Sequence, residues 1–406
     1  MRGQAFGRRA MLAGMAAGSM GALLATPAIV RAQAAPIKIG SLTPLTGGGG
    51  SVGPSMRDAI VGVIAEVNQA GGVLGRQIQV VTEDDQTNPE AAVRAARKLI
   101  DVDGVIAITG TWASAVTTAV APLCWENKVV LCTVSGADSI TQLPHQGYIF
   151  RTQPTGVLQW PAVSRFMHRE GGTRLAYMSP QTPFAQSAVD FIGQYARSNN
   201  LTFASLIYED RKTSYRSEVD EIMRSRPDFI FMGGYQPDVT VLIRDIFRAS
   251  YAGKLLAAAY AVNQQVVDAA PAEVTNGVYL YEPWGAVASG GYRRLQRMLN
   301  RQEIDPYTTQ TYDHASLIAL AIQAGGQAAG TPTGQAMRDA WRRVSQGGGD
   351  AVDNAVDGLR LLREGKKIDY SGASGPCDFT DTGDIGGAQF RWQRIANKRF
   401  ETVRVE

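Results

Sequence analysis

The stretch Ile106-Ala107-Ile108-Thr109-Gly110-Thr111-Trp112-Ala113-Ser114 holds the residues best placed to do chemistry. A β-branched run stops at Gly110, Ser114 follows four residues later, and a small-residue segment to Val120 reads as a helix with Ser114 as its N-cap. The first turn of such a helix presents unpaired N–H groups at the positive end of a dipole. That suits a carboxylate or another small anion, and Trp112 could wall it with an apolar face. The plainer alternative has Ser114 only capping and Trp112 only packing.

Three other constellations bear on chemistry. Gly48-x-Gly50-x-x-Gly53 fits a dinucleotide fingerprint and Gly49-x-Ser51-x-Gly53 a nucleophile elbow. Both come from one four-glycine run, and Thr43-Pro44 makes the connection longer than either motif allows. An exported NAD(P)-dependent oxidoreductase is the reading from the enzyme class that this run supports. Glu83-Asp84-Asp85 reads as a solvated strand end. Asp138, in Ser135-Gly136-Ala137-Asp138 after a buried strand, could accept from an ammonium or amide, or cap the next turn. Three histidines and three cysteines, with no Cys-x-x-Cys or His-Glu-x-x-His, argue against a metal site. Cys124 and Cys132 could pair in an oxidising compartment or remain buried thiols.

The leader shapes the overall balance. Gly7-Arg8-Arg9-Ala10-Met11-Leu12 is a twin-arginine pattern, a Gly/Ala-rich apolar run follows, and Ala32-Gln33-Ala34 is a cleavage motif. The expectation is a periplasmic chain that begins at Ala35. An N-terminal anchor is the alternative, disfavoured by the glycines that interrupt the apolar run. No Cys precedes Cys124, so a lipid anchor is not expected. Removing the leader's four arginines from the 40 basic residues leaves 36 against 37 acidic, a net charge of −1. The apparent basicity belongs to the leader, so nucleic-acid binding loses its compositional support.

These residues need a scaffold, and 406 residues with 45% hydrophobic content provide more than one core. Strands are predicted at Ile37–Leu42, Gln77–Thr82, Val105–Ile108 and Val129–Thr133, each followed by a helical pattern. Asn88-Pro89 is a helix start. The alternation resumes after Pro154, with strands at Arg174–Met178, Thr202–Tyr208, Asp228–Met232, Leu255–Ala259 and Val278–Tyr281. Helices follow Pro283, and a hairpin of Gln389–Gln393 with Phe400–Val405 ends the chain. Two doubly wound parallel sheets result, and their strand ends meet at a crevice. The residues there are small, amide-presenting or aromatic, which suits binding rather than reaction.

Several segments in one order are similar to a known family. Ile37-Lys38-Ile39-Gly40-Ser41-Leu42-Thr43-Pro44-Leu45-Thr46-Gly47, Glu66-Val67-Asn68-Gln69-Ala70-Gly71-Gly72-Val73-Leu74-Gly75-Arg76, Asp84-Asp85-Gln86-Thr87-Asn88-Pro89 and Tyr148-Ile149-Phe150-Arg151-Thr152 resemble the periplasmic leucine/isoleucine/valine-binding proteins. These are type I solute-binding components of ABC importers. The resemblance implies two lobes joined by three crossovers, near Thr152–Pro154, Tyr281–Trp284 and Ser371–Pro376. The lobes would be 36–152 with 283–372, and 153–282 with 373–406. It implies a monomer that closes on a small solute and delivers it to a membrane permease, with no catalysis, cofactor or metal. The family's carboxylate contacts match Ser114 and Gly136, Ala137 and Asp138. Its second-lobe aromatic positions match Phe184 and Tyr235. The family's acid for an α-ammonium falls near Tyr260, where Ala259-Tyr260-Ala261 has none. Asp138 could replace it, or the solute could lack an ammonium. With Trp112, Phe184, Tyr235 and Tyr260 at the crevice, an aromatic acid would suit. Trp112-Ala113-Ser114 is also similar to relatives that bind urea or short amides, and a cytosolic amide-sensing subunit shares the fold.

Overall fold

In a computed structural model that describes residues 34–329 and 332–406, five strands form the first sheet. These are β1 (Ile37–Thr43), β2 (Ile78–Asp84), β3 (Ala107–Thr111), β4 (Val130–Thr133) and β5 (Ile149–Arg151), in the order β2-β1-β3-β4-β5 and all parallel. The helices between them are α1 (Gly53–Gln69), α2 (Pro89–Arg97), α3 (Ser114–Glu126) and the single turn α4 (Ser139–Gln142). Asn88 accepts from the Ala91 N–H, so the Asn-Pro helix start forms as its chemistry dictates. Alternate residues of each strand bury on opposite faces. Val130 and Cys132 join one core with Tyr148 and Phe150, while Leu131 and Ile149 join the other.

The second sheet follows the same logic. Its helices are α5 (Gly156–Arg169), α6 (Pro183–Ser198), α7 (Arg216–Met223), α8 (Gln236–Arg248), α9 (Gln264–Ala269) and α10 (Ala272–Thr275). Strands β6 (Arg174–Pro180), β7 (Thr202–Tyr208), β8 (Phe229–Met232), β9 (Lys254–Ala258) and β10 (Tyr279–Pro283) are parallel. Leu175, Tyr177, Phe229 and Phe231 bury on one face, Ala176, Met178, Ile230 and Met232 on the other.

The chain then returns to the first lobe as α11 (Gly290–Leu299), α12 (Pro306–Ala329), α13 (Gly334–Ser345), α14 (Ala355–Arg363) and a parallel pair, β11 (Asp350–Val352) with β12 (Ile368–Tyr370). Finally β13 (Phe390–Ala396) and β14 (Arg399–Val405) form an antiparallel hairpin that extends the second sheet beyond β10. The architecture is thus two doubly wound lobes with three crossovers. Ala373, Cys377 and Phe379 pack in the first lobe's core, and the chain enters the second sheet only at Phe390. The third crossover therefore lies at Ile385–Gln389, not at Ser371–Pro376, and 373–385 belong to the first lobe. The physical reason is Asp384. It accepts from the buried Arg151 Nε at 2.7 Å, and Gly383 O accepts from Arg151 N at 2.8 Å, which holds this segment against β5.

The crossovers are anchored internally. His314, buried in α12, bridges Thr109 Oγ1 at 3.2 Å and Thr152 Oγ1 at 2.7 Å. Burial lowers its imidazole to about 3, so it stays neutral. Asp313 accepts from Tyr370 Oη, Ala373 N and Ser374 N at 2.7–2.8 Å, fixing the 370–374 turn on the same helix.

Candidate functional site

The cleft between the lobes is built from strand ends and helix starts. Gly110 has φ +105° and a Cβ there would lie 2.5 Å from Thr43 Cγ2, so the position requires glycine. The β3–β4 register shifts between Thr109 and Thr111, and Trp112 follows directly after Thr111, the last paired residue. A chain of hydroxyls holds the turn. Thr133 Oγ1 donates to Thr111 O at 2.9 Å, Ser135 Oγ donates to Trp112 O at 2.8 Å, and Thr117 Oγ1 lies between them at 3.1 and 2.6 Å.

Ser114 is not the N-cap of α3. Ala113 holds that position with extended backbone angles, and Ser114 is the first helical residue, its Oγ accepting from Ala137 N at 3.2 Å. The difference matters, because alanine has no side-chain acceptor for the first-turn amides. Helix α8 likewise starts from Tyr235 without a side-chain cap. Two other helix starts that line the cleft cavity are occupied. Thr182 caps α6, and Asp305 accepts from Thr308 N on α12. Among the helix starts that line the cavity, one from each lobe, α3 and α8, lacks a side-chain cap.

Aromatic rings form its walls. Trp112 meets Tyr235 at 5.5 Å between centroids, Tyr260 at 5.0 Å and Tyr307 at 5.7 Å. Phe184 crosses from the second lobe over Gly136, where a Cβ would sit 2.5 Å from the ring. The cavity there is about 40 Å³ and is lined by Trp112, Ser114, Gly136, Phe184, Tyr235 and Tyr260 among others, with no Asp, Glu, Lys or Arg in its wall. Burial raises the phenols of Tyr235, Tyr260 and Tyr307, which stay protonated.

Six of the eight expected residues thus come together. Ala137 and Asp138 do not line the cavity. Asp138 Oδ1 accepts from Val157 N at 3.0 Å at the start of α5, and its Oδ2 accepts from Ser187 Oγ. The carboxylate caps a helix of the opposite lobe, which explains why it is not free to receive a solute ammonium. Tyr307, Gln153 and Thr182 were missed. Tyr307 had a signal: Asp305-Pro306 repeats the Asx-Pro helix start of Asn88-Pro89, and Tyr307 follows in the first turn of α12. The glycine run serves packing. Tyr235 covers Gly48, Trp112 and Pro44 cover Gly49, and Pro44 covers Gly53. Asp84 accepts from Leu45 N and Thr46 Oγ1, so this acid ties down the loop. All three cysteines are free buried thiols, raised by burial.

The sequence profile of the periplasmic binding protein family matches residues 36–380. The chain belongs to that family. This periplasmic binding protein is 25% identical over 357 residues to a chemotactic signal transduction system substrate-binding protein of Halobacterium salinarum, spanning 85% of this chain and 84% of the relative. Its fold matches a leucine-binding protein of Thermotoga maritima with TM-score 0.75 at 20% identity, covering 91% and 98% of the two chains. It also matches a Rhodopseudomonas palustris ABC-transporter solute-binding protein solved with 4-hydroxybenzoate, with TM-score 0.71 at 18% identity over 91% and 97%. The family consists of solute-binding proteins. Among the described residues of this member, no helix is long and apolar enough to cross a membrane, and no group of three His, Cys, Asp or Glu could hold a metal. The twin arginines and residues 32–33 of the cleavage motif lie outside the described residues.

Proposed function

We propose that this protein is the exported, monomeric solute-binding component of an ABC importer, capturing a small carboxylate-bearing solute by lobe closure and passing it to a membrane permease. The observation that carries the reading is the cleft wall: uncapped helix starts on both lobes, aromatic rings and no charged side chain. The first-turn amides and positive dipole end of α3 stabilise a carboxylate. An ammonium buried beside them would lack a partner, at a cost of several kcal/mol. Aromatic acids therefore fit better than branched-chain amino acids, and the 4-hydroxybenzoate complex of the Rhodopseudomonas neighbour is consistent with that. Trp112, Ser114, Gly136, Phe184, Tyr235, Tyr260 and Tyr307 are the proposed contacts, with the Ala113–Val116 amides receiving the carboxylate. Ala137 and Asp138 act indirectly, through Ser114 and through the opposite lobe.

A second reading, urea or a short amide, is favoured by the size of the cavity, since about 40 Å³ holds only about three waters. A thermal-shift panel of benzoate, 4-hydroxybenzoate, leucine, acetamide and urea separates the two. A ligand at a hundred times its Kd adds about 2.7 kcal/mol to native-state stability. Stabilisation by the aromatic acids is expected; stabilisation by urea, acetamide or leucine alone would replace the reading.

A further inference from the structure

A space of about 160 Å³ lies between the lobes beside the cleft cavity, and the two share Tyr260 and Tyr307. The first lobe lends it the start of α1 and the loop leading into α12, and the second lends the turn after β9 and Glu282 of β10. The Tyr260 and Tyr307 rings, 6.1 Å apart between centroids, form the partition between the two spaces. We propose that the second space is a further compartment of the solute site, in which Glu282 receives a hydrogen-bond donor carried on the end of the solute remote from its carboxylate. The proposal rests on the reading that α3 holds that carboxylate.

Glu282 stands directly opposite Arg391 in the β10–β13 register and is 9% exposed. Arg391 donates from Nε at 2.7 Å and from Nη2, and both bonds go to the same oxygen, Oε1. Among the described residues no group donates to Oε2, and that atom is not sealed from water. A buried carboxylate therefore keeps one reachable, unspent oxygen in the wall of this space, and a donor there completes its hydrogen bonding. The other polar groups of the wall are committed. Asp305 accepts from Thr308 N at 3.0 Å with one oxygen and from Thr308 Oγ1 at 2.6 Å with the other. Asn263 caps α9 and donates to Gln236 Oε1 at 3.2 Å. Arg301 donates to Ser55 Oγ, and Arg391 also pairs with Glu303. Glu282, Glu303 and Asp305 outnumber Arg301 and Arg391 here, and that excess of carboxylate favours a donor, an ammonium most of all. Burial pushes Glu282 up to about 7 against the pull of Arg391, so a donor on Oε2 also stabilises its ionised form. An α-amino acid does not meet this description, because its ammonium lies beside its carboxylate. An acid with its donor across an aromatic ring does.

Benzoate, 4-hydroxybenzoate and 4-(aminomethyl)benzoate are titrated calorimetrically into the parent protein and into Glu282→Gln and Ser51→Trp, with melting temperatures showing that the variants fold. The quantity read is the ratio of the Kd of benzoate to that of the tighter donor-bearing acid. In the parent protein this ratio should be about tenfold or more. In Glu282→Gln the amide oxygen stays with Arg391, so an N–H replaces the open acceptor, and the ratio should fall to about one while benzoate changes less than about twofold. Ser51 is exposed and lines the space, so an indole there fills it from the mouth, and the ratio should again fall to about one. A variant that only hindered closure would weaken all three acids together and leave the ratio as it was. Benzoate binding the parent protein as tightly as both donor-bearing acids overturns the compartment while leaving the carboxylate reading in place, and so does a ratio that survives in either folded variant. If none of the three acids binds, the carboxylate reading fails and this inference fails with it. If Glu282→Gln does not fold, Ser51→Trp decides the matter.

Discussion

Gly136→Ala should block lobe closure without harming either lobe. Gly136 ends the turn after β4 in the first lobe, and both groups over its α-carbon come from the second. A Cβ would sit 2.5 Å from Phe184 Cε2, 3.1 Å from Phe184 Cδ2 and 2.9 Å from Gln159 Nε2. Ordinary carbon contacts begin near 3.5 Å, so the ring must retreat by about 1 Å. Overpacking of this kind costs about 1–3 kcal/mol. Gly136 does not adopt a left-handed backbone, so alanine is not strained there. The penalty therefore falls on the closed form alone, and solute affinity should drop by about 5- to 150-fold. The melting temperature without solute should stay level or rise slightly, because alanine restricts the unfolded chain. Small-angle scattering should show the variant more open at saturating wild-type solute concentrations. Pairing it with Phe184→Leu should recover part of the affinity, since the two sites share one contact. Unchanged affinity, or a lowered melting temperature with normal affinity, would refute the idea that Phe184 seals the cleft over Gly136.

Three further outcomes are expected. Asp138→Ala removes the cap on α5 and the Ser187 contact across the cleft, and should weaken anionic and zwitterionic solutes by the same factor, about 5- to 10-fold; loss for zwitterions alone would return Asp138 to a direct ligand role. Asp85 is buried, with Oδ1 accepting from Thr87 N at 2.7 Å and Oδ2 unpartnered, and burial followed by the neighbouring Asp84 pushes it up to about 7. The folded form keeps a proton that the unfolded form releases near 3.8, so this group's contribution to stability falls as pH rises from about 4 to about 7. Asp85→Asn should remove that slope and raise the melting temperature at pH 8, and parallel pH profiles for the two proteins would exclude it. Cys124, Cys132 and Cys377 are buried thiols, so Ellman's reagent should find no fast-reacting thiol in the native protein and three after denaturation.

The fold was legible because alternation and helix starts are local signals. Strands such as Ile37–Leu42, Thr202–Tyr208 and Asp228–Met232 coincide with β1, β7 and β8 to within a residue at most ends. The strand β5, three residues long and followed at once by a crossover, has too little pattern to announce itself. The third crossover was misplaced because the 373–385 segment is held by one ion pair and a few buried side chains, not by a periodic element. In the site, the aromatic residues were legible from their position at strand ends. The role of Asp138 was not, because its partners, Val157 N and Ser187, belong to the other lobe. No local pattern reports a contact that exists only when two distant segments close.

The same point explains why the cleft is built from main-chain amides and neutral rings. A solute carboxylate held by a single arginine would be satisfied by one lobe, and binding would then not favour closure. For the proposed carboxylate, α3 would offer its first-turn amides from one side and Tyr235 at the start of α8 would border it from the other, and Trp112 reaches its ring partners Tyr235 and Tyr260 only across the gap. On the proposed reading neither half could desolvate and repair the anion alone, and the interaction energy would be realised mainly in the closed form. A ligand shifts a conformational balance only by its differential affinity for the two forms. Dividing the receptor between the lobes maximises that difference. It follows that Trp112→Ala should reduce closure as well as affinity, and a variant that bound tightly while remaining open by scattering would show that one lobe suffices.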